Sequence, residues 1–205
     1  MSLDIPLILD QLRFRYPSLL VDSIIEHEVG HRITAVKNVT VNEEFFQGHF
    51  PGIPLMPGVM MIETLVQVAT LLLLENGDDV PIKHATLKGV NNAKFRKQVS
   101  PGDRLFLEVT HNGENDGISI ARGIASVDGQ IVAEAEMLIS LEPTVHVDQA
   151  AQVHPDSEIG AGTVIGPYAI IGPRVRLGKR CRVGASAVID GDTTLGDECQ
   201  VFPFA

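Results

Sequence analysis

The feature that most narrows what this 205-residue chain can fold into is a repeat of period six running from Val153 to Ala205. Written in hexads it reads VHPDSE, IGAGTV, IGPYAI, IGPRVR, LGKRCR, VGASAV, IDGDTT, LGDECQ and VFPFA, and the register never slips. Aliphatic residues open each hexad, at Val153, Ile159, Ile165, Ile171, Leu177, Val183, Ile189, Leu195 and Val201. Mostly small residues stand four places on, at Ser157, Thr163, Ala169, Val175, Cys181, Ala187, Thr193, Cys199 and Ala205. Such a repeat makes short parallel strands that bend at every turn and stack their aliphatics into one continuous core. At three hexads to a coil the segment supplies just under three coils. Cys181 and Cys199 then occupy the same corner of successive coils, where parallel side chains and a reducing compartment keep both as thiols serving as small apolar core groups.

Before the repeat the pattern differs. Leu3 to Leu12 read as a short helix, Leu19 to Glu28 and Arg32 to Val41 as strands turned by Val29-Gly30-His31. Gly58 to Asn76 is helical, with Pro57 at the first turn and Gly77 as the stop. Strands follow at Ile82 to Phe95, Arg104 to Asn112, Gly117 to Val127 and Gln130 to Leu141, punctuated by turn-forming Ser100-Pro101-Gly102-Asp103, Asn115-Asp116-Gly117 and Asp128-Gly129. In the last strand Ala133, Ala135, Met137, Ile139 and Leu141 alternate with the intervening residues, as a sheet with one buried face requires. The single apolar helix must cover that face. The expected fold is therefore an α+β hot-dog, an antiparallel sheet wrapped round a central helix, over 1-142, then a linker over 143-152; the repeat resembles that of hexapeptide acyltransferases, which implies a truncated left-handed parallel β-helix over 153-205.

Composition excludes several classes. An apolar fraction of 44% with 20% charged residues fits a globular chain rather than a disordered one. The N-terminal residues lack a basic, apolar signal, and the longest apolar stretch, Val59 to Leu74, is interrupted by Glu63, Thr64, Gln67 and Thr70. A cytoplasmic protein without membrane insertion is expected. The two cysteines show no metal-ligand spacing, and no cofactor is implied. The net charge of −10 argues against nucleic acid. It belongs to the first part: Met1 to Gln152 holds 11 basic and 20 acidic residues, −9, whereas Val153 to Ala205 holds 5 and 6, −1. Within that acidic part Lys88, Lys94, Arg96, Lys97 and Arg104 form a local basic stretch suited to an acidic partner or simply to solvent.

The chemistry concentrates in GHFPGIPLMPGVMMIETLVQ, residues 48–67. Three glycines and three prolines fix the backbone round His49, a residue able to exchange a proton near neutral pH. Glu63 is the only ionisable side chain between Pro51 and Leu74, and burial among apolar neighbours would disfavour its charged form, suiting it to donate a proton. Gln67, one turn later on the same helix face, orients the acid or the substrate, or merely fills hydrogen bonds. The Gly58 amide at the helix N-terminus can accept negative charge developing on a thioester oxygen. Together these groups suit proton abstraction next to a carbonyl: His49 as base, Gly58 as polariser, Glu63 as acid.

Those residues, with Tyr16-Pro17, Leu19 to Asp22, Ala35 to Val39, Ala93-Lys94-Phe95 and Ser100 to Asp103, resemble the FabZ-type beta-hydroxyacyl-ACP dehydratases over about the first 140 residues. The resemblance implies dehydration of (3R)-hydroxyacyl-ACP to trans-2-enoyl-ACP in fatty acid synthesis, with His49 and Glu63 contributed by opposite subunits of a hot-dog dimer. It implies acyl carrier protein as partner and a homo-oligomer, a trimer of dimers. Glu63 separates the chain from the related dehydratase-isomerases, which carry aspartate there. Arg13-Phe14, where the family has Pro-His, is a departure outside the catalytic stretch. The opening VHPDSEIGAGTVIGPYAIIGP resembles UDP-N-acetylglucosamine acyltransferase of lipid A synthesis, which implies a link to that pathway; His154 does not match that family's catalytic histidine, so no acyl transfer is assigned. A hot-dog thioesterase and an inactive acyl-chain binder are the rival readings.

Overall fold

A computed structural model describes residues 12, 14–74 and 83–205. Among the described residues the chain divides into two compact units, one of residues up to 74 and 85–141, the other of 83–84 and 142–205. In the first, β1 (Ser23–Glu28), β2 (Arg32–Asn38), β3 (Lys83–Phe95), β4 (Arg104–Asn115), β5 (Ile118–Val127) and β6 (Gln130–Pro143) form one six-stranded sheet in the order β1-β2-β4-β5-β6-β3. The hairpins close where turn chemistry predicts. Asp116 and Gly117, and likewise Asp128 and Gly129, adopt positive φ, the backbone twist that two-residue hairpin loops need.

The helix α1 (Gly58–Leu74) lies across the sheet's inner face, with Met61, Ile62 and the unbroken run Thr64 to Leu73 buried. It meets the alternation of β6, where Ala133, Ala135, Met137 and Ile139 are buried, and Leu65 and Met137 close over Gly123 so tightly that a Cβ there would sit 2.9 Å from Met137. At 25 cal/mol per Å² each large side chain removed from water in this core contributes about 1.5–3 kcal/mol. Among the described residues no helix is long and apolar enough to cross a membrane. The hot-dog expectation is met.

Element boundaries shift for identifiable reasons. The strand expected from Leu19 begins only at Ser23, because the Leu20 N–H is taken by the Gln67 side chain rather than by a neighbouring strand. β2 ends at Asn38, since Val39 pairs with the Gly102-Asp103 turn. β4 reaches Asn115 through an irregularity between His111 and Glu114, where Gly113 has φ 98°. The helix expected at Leu3 to Leu12, and Asn76, Gly77 and Ile82, lie outside the described residues apart from Leu12.

The second unit is a parallel β-solenoid of three faces. Strands β7 (His146–Val147), β10 (Val164–Ile165), β13 (Arg182–Val183) and β16 (Gln200–Val201) stack on one face. Strands β8 (Gln152–Val153), β11 (Ile170–Ile171) and β14 (Val188–Ile189) make the second, and β9 (Glu158–Ile159), β12 (Arg176–Leu177) and β15 (Thr194–Leu195) the third. Every partner lies eighteen residues on, as in Val147↔Ile165↔Val183↔Val201, so the aliphatics form three ladders. Glycine in second place lets rungs approach: a Cβ on Gly160 would lie 2.4 Å from the Gly178 carbonyl carbon.

The repeat starts one hexad earlier than expected. Residues 143–152 are not a linker: β7 pairs with β10, and Val147 and Ala151 occupy the aliphatic and small places of a first hexad, VDQAAQ. That phase is present in the sequence, six residues ahead of Val153.

Cys181 and Cys199 are free thiols on one corner, below Thr163 in the same stack. Cys181 is more than an apolar filler. Its thiol donates to the Gly196 carbonyl at 3.1 Å, repeating one rung later the bond from the Thr163 hydroxyl to Gly178 at 2.8 Å. Cys199 is only half-buried and does not join the core.

Candidate active site

The loop before α1 is tied to itself by its backbone. A 3₁₀ turn, Glu44–Gln47, buries Phe46 and ends where the His49 N–H donates to the Phe45 carbonyl at 3.0 Å. Phe50 and Ile53 exchange two backbone bonds of 3.0 Å, Leu55 N–H returns to the His49 carbonyl at 2.9 Å, and Met56 N–H is anchored to Val99 at 2.8 Å. Gly52 takes φ 80°, a conformation that side chains disfavour, and the His49–Phe50 peptide is cis.

His49 is oriented within this loop. Its Nδ1 lies 2.9 Å from the Leu55 carbonyl, and a carbonyl oxygen only accepts, so Nδ1 carries the proton. Nε2 is left as the basic nitrogen. The Phe50 ring stacks on the imidazole with centroids 4.0 Å apart.

Glu63, on the second turn of α1, is half-buried, not sealed in the core as its neighbours in sequence suggest. Its Oε1 accepts a 3.0 Å bond from Gln67 Nε2. Gln67 is fully buried and spent: Nε2 also donates to the Ser18 carbonyl at 2.8 Å, and Oε1 accepts from Leu20 N–H at 2.9 Å. These three bonds fit the readings in which Gln67 orients the acid and fills hydrogen bonds. It orients Glu63 and pins the 18–20 segment to the helix.

Gly58 opens α1. The helix ladder begins with Met60 and Met61 N–H bonding to the Pro57 carbonyl, so the Gly58 amide precedes it and faces no intrahelical acceptor. A Cβ on Gly58 would lie 2.8 Å from the Phe95 ring, which explains the glycine.

Two cavities meet at Glu63. One, of about 410 Å³, is lined by Val59, Ile62, Val66, Leu87, Val90, Ala93 and Phe95, with Glu63 as its only ionisable group. The other, of about 390 Å³, is bounded by Ser18, Phe45 and Met60 and by the carboxylates Glu43, Glu44 and Glu63. His49 lines neither of these two cavities.

The five expected basic residues do not form one cluster. Arg104 stands on β4 with its guanidinium 5.1 Å from the centre of the Phe106 ring, and β5 and β6 separate β4 from the strand bearing Lys88 and Lys94. Lys97 bonds Gln130. Lys94 and Arg96 converge on Glu134, at 3.6 and 2.5 Å, together with Arg122 at 3.6 Å, a cation the sequence reading missed. The Arg96 hydrogen bond, aided by the charges of Arg96 and Lys94, holds the Glu134 carboxyl below its usual range against the opposing effect of desolvation.

Comparison with known proteins matches this geometry to a family. Residues 13–136 match the model of the FabA-like domain, and residues 156–191 match the bacterial transferase hexapeptide repeat. The 3-hydroxyacyl-[acyl-carrier-protein] dehydratase FabZ of Thiobacillus denitrificans is 46% identical over 141 residues, 68% of this chain and 97% of that protein. FabZ of Myxococcus xanthus is 46% identical over 140 residues, 68% of this chain and 92% of its own length. The solved dehydratase heterocomplex ApeI:P from Xenorhabdus doucetiae superposes with a TM-score of 0.53 at 13% identity, over 65% of this chain and 90% of that one, and shares the fold. With a hot-dog unit matched over nearly the full length of such relatives, this chain belongs to the FabA-like family and is a dehydratase of the FabZ type.

Proposed function

We propose that the protein removes water from (3R)-hydroxyacyl chains carried on acyl carrier protein, giving trans-2-enoyl-ACP. The observation that carries this reading is the Gln67-held carboxyl of Glu63 set in the wall of an otherwise apolar cavity. An acyl chain fits the apolar wall, and its β-hydroxyl meets the acid. His49 Nε2 takes the α-proton as the Cα–H bond breaks, and the Gly58 amide stabilises the charge on the thioester oxygen. The Cβ–O bond then breaks, the double bond forms, and Glu63 gives its proton to the departing hydroxyl, which leaves as water.

In this reading a second copy completes the site and the active unit is a dimer, which is supported by His49 lining neither of the two cavities at Glu63. Three such dimers make a hexamer. Lys88, Lys94, Arg96 and Lys97, with Arg122 beside Lys94 and Arg96, are the cations offered to the acidic carrier, and Arg104, with two strands between it and the strand of Lys88 and Lys94, is a separate one. The hexapeptide unit links the activity to lipid A synthesis, whose acyltransferase consumes the same hydroxyacyl-ACP. The enzyme works in the cytoplasm, where that carrier is found.

Purified protein with 3-hydroxyacyl-ACPs of several lengths should yield the enoyl products by mass spectrometry; release of free thiol would assign hydrolysis instead. His49→Ala and Glu63→Gln should each lower turnover roughly 10²–10⁴-fold with the fold intact. Once subunit exchange is shown, mixing the two variants should restore activity. Near-normal turnover by either variant removes that residue from the mechanism.

A further inference from the structure

Lys37 stands where no charge belongs. β2 points Ile33, Ala35 and Lys37 to the same inner face, the first two fully buried and Lys37 only 3% exposed. An unpartnered ammonium there would be costly, so its occupancy has a cause. That cause is Glu43, whose Oε1 bonds Lys37 Nζ; the ammonium also donates to the Asn38 carbonyl at 3.2 Å.

Glu43 is the residue that caps the 3₁₀ turn leading to His49, yet its side chain makes no capping bond because Lys37 holds it. The turn hangs from it by backbone bonds. Glu43 N–H donates to Thr40 at 3.3 Å, Phe46 N–H to the Glu43 carbonyl at 3.1 Å, and His49 N–H to Phe45 at 3.0 Å. The strand is thus connected by one part-buried ion pair to the residue that caps the turn, and by the turn to the imidazole. Glu43 also lines the acidic cavity at Glu63, but its own carboxylate is neutralised by Lys37.

We propose that the pair of buried Lys37 with part-buried Glu43 is the positioning device that fixes the height of the His49 loop on the sheet, and so the placement of the base. Lys37 and Glu43 are positioning residues, and neither lines the apolar cavity proposed for the acyl chain. This rests on His49 being the base; a misplacement of about 1 Å in such a group can cost up to roughly 10²-fold in rate.

The test uses the full chain and acyl-ACP turnover per folded molecule. Lys37→Met should lower kcat at least about tenfold with KM little changed, since the acyl cavity is lined by other residues. Lys37→Met/Glu43→Leu removes both charges, so no orphan charge is buried and folding is preserved. Its kcat should stay low, because the tether is still missing, and Lys37→Arg should recover part of the rate. In a His49→Ala background Lys37→Met should cost nothing further, as expected of groups acting through one residue. Wild-type kcat in the double variant, or a loss in KM alone, overturns the proposal. A near-normal His49→Ala enzyme would instead overturn the assignment of the base, an outcome distinct from the first.

Discussion

Thr163 in the solenoid and Gln67 in the hot-dog unit are both fully buried polar side chains, and they are satisfied in opposite ways. Thr163 donates to Gly178 and accepts from Cys181 N–H at 3.0 Å, partners fifteen and eighteen residues on, and Cys181 repeats the donation one rung later. Gln67 takes partners 47 and 49 residues back, Leu20 and Ser18, and a carboxylate one turn away, in an arrangement that occurs once. Translation by eighteen residues satisfies a solenoid rung by rung, so any rung resembles the next. The hot-dog unit instead spends single, long-range contacts on Glu63 and the 18–20 segment.

The largest stability effect should come from breaking one of those single contacts. Gln67→Leu leaves Leu20 N–H and the Ser18 carbonyl without partners and frees Glu63, which should cost roughly 2–4 kcal/mol. Turnover per folded molecule should also fall, because the acid is no longer held. Denaturant unfolding with parallel rate measurements checks both, and an unchanged stability would show that the network is not what holds residues 18–20.

Next comes the repeat. Gly160→Ala drives a methyl group to 2.4 Å from the Gly178 backbone and should cost about 1–3 kcal/mol, confined to the solenoid transition, with dehydration per folded molecule unchanged. Gly196→Ala is the internal control. It holds the same hexad place but meets nothing within 4 Å, so its effect should stay within about 0.5 kcal/mol. Equal costs at the two glycines would mean that rung spacing is not what the glycine protects.

The smallest effect lies on the surface of the hot-dog unit. The Glu134 carboxyl is held below its usual range by Arg96 and Lys94, so its contribution to stability is present above the ordinary carboxylate range and disappears as pH falls through the depressed value. Glu134→Gln should flatten that part of a Tm-against-pH curve and change little at neutral pH. An unaltered acid limb would mean that the ion cluster contributes nothing to folding.

Much of this was legible because it is local. Asp116-Gly117 and Asp128-Gly129 announce their hairpins, and the spacing of Val153, Ile159 and Ile165 announces the solenoid. Even the error over 143–152 was readable, since Val147 and Ala151 keep the hexad phase. Lys37 could have been noticed by its phase with Ile33 and Ala35, but its partner could not, because nothing in the spacing says that Glu43 folds back onto it. Nor did a run of cations reveal that Lys94 and Arg96 meet Glu134 and Arg122 from other strands.

The sequence alone determined the two units, the helix on the sheet, the repeat and the stretch on which the proposed roles of His49, Gly58 and Glu63 rest, because periodicity and turn chemistry act between residues close along the chain. Only the tertiary structure decided that Gln67 bonds Glu63, Ser18 and Leu20, that Glu63 borders two cavities, that His49 borders neither, and that Lys37 is buried against Glu43. Those outcomes depend on which strands become neighbours across tens of residues, where hydrogen-bond and charge partners are chosen by geometry that no local pattern encodes.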